Sequence, residues 1–136
     1  MKVFLDTNVW LSATVFSGLC EELVLQCADR GWLYSSALVR QEAHEVLIRK
    51  FPQRPDACAL FDLARQSAQW IDDVAEPQED NDVRLVDATA LAGMALFVTG
   101  DKRVLSWQSR PGPTGLMQMA SPRQAWQMLF GVGRDG

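Results

Sequence analysis

Lys2-Val3-Phe4-Leu5-Asp6-Thr7-Asn8 couples a short run of bulky apolar residues to three small polar ones. Val3, Phe4 and Leu5 follow one another without the alternation of a half-buried strand. That predicts a strand covered on both faces, as in the middle of a parallel sheet. Ligands of open α/β sheets bind in the crevice at the carboxyl ends of the strands. Asp6 stands at that end, its backbone held by the core and its carboxylate free to act. A plainer reading stays open beside it, in which Asp6 or Thr7 merely caps the next helix.

Outward from this run, strand-like and helix-like segments alternate. Val9 to Val15 reads as a short helix, and Leu19, Leu23, Val24, Cys27 and Ala28 mark the stripe of a second, closed by Gly31. Trp32-Leu33-Tyr34 is a second strand. Ser36 then caps a helix that turns Leu38, Val39, Ala43, Val46 and Leu47 inward. Pro55 to Ala68 forms another helix, Trp70 to Val74 a third strand, and Glu76 to Asn81 a polar acidic loop. A helix from Asp82 leads to the strand Leu96-Phe97-Val98. Arg110 to Gly115, with two prolines and two glycines, reads as loop. Leu116 to Met119 is the last strand, and Ser121-Pro122 starts the last helix. Such alternation implies right-handed crossovers. The expected fold is a three-layer α/β/α sandwich around a mostly parallel sheet of about five strands. With no repeat and no linker, residues 1–136 read as a single domain.

Composition narrows the function. Hydrophobic content of 48% and charged content of 22% are those of a globular chain. No apolar run is long enough for a membrane span, and Asp6 and Asn8 interrupt what would be a signal peptide's apolar region. Cys20, Cys27 and Cys58 show no zinc-site spacing, which predicts free thiols in a reducing cytoplasm. A net charge of −4 argues against adhesion to nucleic acid by bulk charge. It leaves room for a protein that reaches phosphate through a cation held by carboxylates.

The carboxylates supply the pattern. Phe4-Leu5-Asp6-Thr7 and Phe97-Val98-Thr99-Gly100-Asp101 each place an aspartate just past a buried strand. If those strands are neighbours, the two acids meet, and Gly100 leaves room for a ligand. Glu42, early in the helix after the second strand, and Asp82, at the start of the helix before the fourth, lie at the same sheet edge. Gathered carboxylates repel unless a cation sits among them. Oxygen-only ligands select Mg²⁺ or Mn²⁺, which can activate water and stabilise charge on a phosphoryl oxygen.

Together, Val3 to Asn8, Ser36…Glu42…Val46-Leu47, Asp80-Asn81-Asp82 and Val98 to Lys102 resemble the PIN domain. More narrowly, the chain is similar to the VapC-like ribonucleases, toxins of bacterial toxin–antitoxin pairs. The likeness runs over nearly the whole chain, including Ser121-Pro122-Arg123. Each motif alone is weak; four in order are specific. The resemblance implies that Asp6, Glu42, Asp82 and Asp101 are catalytic and hold Mg²⁺ or Mn²⁺, with Asp87 as an additional acid. It implies that Thr7, Asn8 and Thr99 support the acids or hold metal-bound water. It also implies an RNA substrate and an antitoxin protein as partner. Two departures stand out. Arg103 occupies a place where the subgroup usually has an aspartate, and Asp80 competes with Asp82 for the aligned position.

Other residues have plainer roles. Glu45 reads as a solvated helix residue, the lone His44 as packing or surface, and Asp72, Asp73, Glu76 and Glu79 as a solvated charge run. Lys102 and Arg103, then Arg49, Lys50 and Arg54, are the cations best suited to RNA phosphates. Trp10 suits a substrate cleft or an oligomer face, and the five tryptophans with the high apolar content predict a homodimer. The expected activity is metal-dependent endoribonuclease, against a non-catalytic RNA- or partner-binding module on the same scaffold. Phosphoryl-signalling folds fit poorly: receiver domains want a second acid where Thr7 stands, and aspartate-based phosphatases want one at Asn8.

Overall fold

Val3, Phe4 and Leu5 form β1 (Val3–Leu5), wholly buried and flanked by parallel strands on both sides. A computed structural model of the chain describes residues 1–74 and 80–131. After β1 come α1 (Thr7–Val15), α2 (Leu19–Asp29), β2 (Leu33–Ser35), α3 (Ala37–Lys50), α4 (Ala57–Arg65) and β3 (Gln69–Trp70). Then follow α5 (Asn81–Leu91), β4 (Leu96–Val98), α6 (Lys102–Leu105), β5 (Ser109–Gly112), β6 (Gly115–Ala120) and α7 (Pro122–Phe130). The sheet order is β3-β2-β1-β4-β6-β5, parallel except for the β5–β6 hairpin. The expected three-layer α/β/α arrangement is what forms.

The chain steps outward from β1 to β2 to β3, then returns across β1 to β4. Strand order therefore reverses between β1 and β4, which opens a crevice at their carboxyl ends. Phe4 lies opposite Phe97, their rings stacked with centroids 5.6 Å apart, and Leu5 lies opposite Val98. The Asp6 amide donates to the Val98 carbonyl at 2.8 Å, so the two strands are tied up to the point where each ends. α1 packs on α2, α3 and α4, and α2 packs on α7. The return direction of α5 places it on the opposite face by the right-handed rule, where it meets β5.

Local signals explain the helix starts. The Ser36 hydroxyl accepts from Val39 N at 3.4 Å, and Ser121 with Gln124 forms a reciprocal capping box ahead of Pro122. Gly31 follows α2 at φ 70°, a conformation that suits glycine after a helix.

Three expectations need correction. The sheet has six strands rather than five, because Ser109–Gly112 is a strand where prolines and glycines suggested only loop. Pro111 is tolerated because β5 is the edge of the sheet. Gly112 has a packing reason: a Cβ there would lie 2.5 Å from the Ala90 carbonyl oxygen of α5. The third strand shrinks to Gln69–Trp70, since Asp73 turns back and its Oδ2 accepts from Leu38 N at 3.0 Å, at the start of α3. Asp73 is thus a helix-capping residue and not part of a solvated run. The residues of the acidic loop from Glu76 to Glu79 lie outside the described residues.

Gly112→Ala is expected to destabilise the fold by about 1–3 kcal/mol, the usual cost of overpacking. Denaturant unfolding measures this, and an unchanged midpoint would mean that α5 and β5 part at no cost.

Candidate functional site

Asp6 caps α1 and lies in the crevice between β1 and β4, only 4% exposed. Its Oδ1 accepts from the Thr7 amide at 2.8 Å. Its Oδ2 accepts from the Thr99 hydroxyl at 2.8 Å and from Asn8 Nδ2 at 3.3 Å. Asp6 thus caps α1, as the plainer reading expected, while its second oxygen is held by Thr99 and Asn8 at the strand ends. Burial pushes the Asp6 carboxyl up to about 6; the Thr99 and Thr7 donors pull it down, and the charges of Asp82 and Glu42 add to the rise.

Thr99 and Asn8 lock the two strand ends together. Asn8 Oδ1 accepts from the Gly100 amide at 2.9 Å, and Asn8 Nδ2 reaches Thr99 Oγ1 at 3.3 Å. Thr99 Oγ1 also accepts from the Asp101 amide at 3.0 Å. Asp101 caps α6, its Oδ1 accepting from the Arg103 amide at 2.8 Å. A Cβ added at Gly100 would sit in ordinary contact, 3.4 Å from Asn8 Oδ1.

Glu42 reaches the same edge from α3. Its Oε1 accepts from the Thr7 hydroxyl at 2.7 Å and its Oε2 from Asn81 Nδ2 at 3.1 Å. Asn81, at the start of α5, is a site residue that motif reading passed over, although it stands inside Asp80-Asn81-Asp82. Asp82 follows it in the first turn. Burial holds the Asp82 carboxyl above its usual range, helped by the charges of Asp101, Asp80 and Glu42 and opposed by Arg103. The Asp80 side chain instead caps α5 through Val83 N at 3.1 Å and pairs with Arg103, which holds its carboxyl low. Of the two acids, Asp82 is the one in the field of Glu42 and Asp101.

Other residues lie elsewhere. Asp87 pairs with Arg110 of β5 at 3.5 Å and is not brought to the other four acids. Five residues along the helix from Asp82 amounts to more than a third of a turn away. Arg103 is half-exposed and its guanidinium pairs with acids of this edge: Nη2 is 2.7 Å from Asp80 Oδ2 and Nη1 is 3.4 Å from Asp82 Oδ2. An edge with several carboxylates draws in the nearest long cation. Lys102 is exposed. Arg49 and Lys50 are at the far end of α3, and Arg54 pairs with Asp56. His44 lies 2.9 Å from Asp62 and edge-on to Phe61, joining α3 to α4, and Glu45 is exposed. Trp10 belongs to the core, fully buried and edge-on to Phe61, and it borders a small cavity of about 220 Å³ with Thr14, Val24 and Leu60 that none of the four acids lines.

A groove of about 400 Å³ opens beside the site, bordered by Asn8, Ser12, Gly100 and Asp101. A larger one of about 610 Å³, by Lys2, Tyr34, Trp70 and Leu91, contains none of the four acids. The donor set is chemically suited to a hard divalent cation: carboxylates only, mutually repelling, two of them with raised pKa. Among the described residues, no three His, Cys, Asp or Glu side chains stand close enough to form a ready-made metal cage. An ion held by one or two carboxylates that keeps several waters, as Mg²⁺ usually does, needs no such cage. No family model matches the chain, and no curated protein matches it.

Because the acids repel, Asp101→Asn is expected to be neutral or stabilising in EDTA; asparagine preserves the α6 cap. A loss of more than about 2 kcal/mol on denaturation would make Asp101 a structural residue.

Proposed function

We propose that this chain is a PIN-type, metal-dependent endoribonuclease, the toxin of a toxin–antitoxin pair acting in the cytoplasm. The observation that carries the reading is Asp6, buried where the sheet order reverses, with Asp101, Glu42 and Asp82 around the same edge. In this reading Asp6 and Asp101 hold Mg²⁺ or Mn²⁺, with Glu42 and Asp82 completing the set. The ion supplies charge stabilisation at the scissile phosphate and a more acidic water. Thr7, Asn8, Asn81 and Thr99 fix the rotamers of the acids, so little reorganisation is needed during reaction. The groove at Asn8, Ser12 and Gly100 admits the RNA strand, and exposed Lys102 contacts its phosphates without reading bases.

The second reading, a non-catalytic RNA- or partner-binding module, has one observation on its side, the lack of a ready-made cage among the described residues. Purified protein incubated with a structured RNA separates the two. Cutting with Mg²⁺ or Mn²⁺ that stops on adding EDTA supports the nuclease; RNA bound but left whole with either ion supports the module. Cleavage is also expected to weaken only modestly with salt, since a net charge of −4 leaves few cations to release counterions.

The partners belong to the same reading. Four of the five tryptophans are buried or half-buried, so they no longer argue for a homodimer. Phe16, Leu25, Ile48 and Leu63 are exposed, and the reading keeps a second copy or an antitoxin as the partner. A monomeric mass by light scattering at tens of micromolar would end the homodimer proposal. Among the described residues, no single helix is long and apolar enough to cross a membrane.

A further inference from the structure

Arg103 has an unusual position for a surface cation. Its guanidinium spans Asp80 at 2.7 Å and Asp82 at 3.4 Å, its Cζ lies 5.2 Å from the centre of the Trp107 ring, and its own amide binds Asp101. The planar fork suits two carboxylates at once, and the indole face supports it from the side. At the same time the side chain is 52% exposed, and ion pairs so exposed are weak enough to exchange. Asp82 is therefore claimed by a cation that is held in place yet easily released.

We infer that Arg103 is the built-in counter-cation of this acidic edge. It offsets part of the charge of Asp80 and Asp82 in the metal-free protein and yields Asp82 when a divalent ion takes over that charge. The inference rests on the reading of Asp6, Glu42, Asp82 and Asp101 as metal-holding acids. Once released, the guanidinium is free to pair with a phosphate of the RNA, next to Lys102 on the same turn. One side chain thus screens repulsion before metal binding and positions the strand after it. Arg103 is a positioning residue on this account.

Mn²⁺ titration calorimetry of wild type, Arg103→Gln, Arg103→Lys and Asp6→Asn tests it. Arg103→Gln removes the competing charge, so Mn²⁺ should bind roughly two- to fivefold tighter, the size of an exposed ion pair. Arg103→Lys keeps the charge and should stay near wild type. RNA affinity, read in EDTA-free buffer with Ca²⁺, should fall for Arg103→Gln. Unchanged or weaker Mn²⁺ binding in Arg103→Gln overturns the inference. So does an equal gain in Arg103→Lys, which would trace the effect to lost packing on Trp107. If wild type binds Mn²⁺ no better than Asp6→Asn, the metal reading fails as well. If Asp6→Asn loses binding and Arg103→Gln changes nothing, only the inference about Arg103 fails.

Discussion

Asp6→Asn is expected to lose most Mn²⁺ binding and to slow RNA cleavage by at least about a thousandfold, with the fold retained. The size follows from the several kcal/mol that a catalytic ion supplies and from tenfold in rate for each 1.4 kcal/mol. Among the described residues no other acid is placed to take over, because Asp6 is the one buried acid, held by Thr7, Asn8 and Thr99 at the ends of β1 and β4. Asparagine is close to isosteric and also caps helices, so α1 should survive. Calorimetry and circular dichroism on the purified variant check both halves. Equal Mn²⁺ binding in wild type and variant would remove Asp6 from the ligand set.

The second large effect is a pH dependence in the metal-free protein. Folded Asp6 holds its proton up to a pH of about 6, and the unfolded residue only to about 3.8. Between those values the folded state binds the extra proton, so Asp6 lowers stability as pH rises from about 4 to 6. Two pKa units correspond to about 3 kcal/mol. Other acids shift the opposite way, Asp62 through His44 and Arg40 and Asp80 through Arg103, so total stability mixes signs. The clean quantity is the difference between Asp6→Asn and wild type in EDTA. The variant should gain about 3 kcal/mol relative to wild type between pH 4 and 7, read by denaturant unfolding. A difference flat with pH would make Asp6 an ordinary exposed-type acid. Mn²⁺ affinity should also fall below pH 6, because the proton and the cation compete for one carboxylate.

Much of this architecture is legible in the sequence because its central parts carry strong local signals. Three consecutive bulky residues at Val3–Leu5 and at Leu96–Val98 mark buried strands, and an aspartate follows each, directly after β1 and three residues on from β4. Ser36 and Ser121-Pro122 announce helices through cap chemistry that is local to a few residues. What sequence hides is decided by distant parts. Gly112 and Pro111 look like loop residues until α5 is known to lie against an edge strand. Asp73 looks solvated until the start of α3 comes within reach. Asn81 is one polar residue among several until Glu42 faces it, and Arg103 is one surface cation among several until Asp80 and Asp82 assemble beside it. Asp87 lies far round the helix from Asp82, and its pairing with Arg110 follows from that angle.

The claim that this acidic edge is a metal-dependent ribonuclease site comes down to one assay. Wild type and Asp6→Asn are incubated side by side with a structured RNA, with Mn²⁺ and with EDTA. The expected result is cleavage by wild type in Mn²⁺ only, and none by Asp6→Asn in either condition. Cleavage that survives Asp6→Asn, or that persists in wild type without any divalent ion, would contradict it.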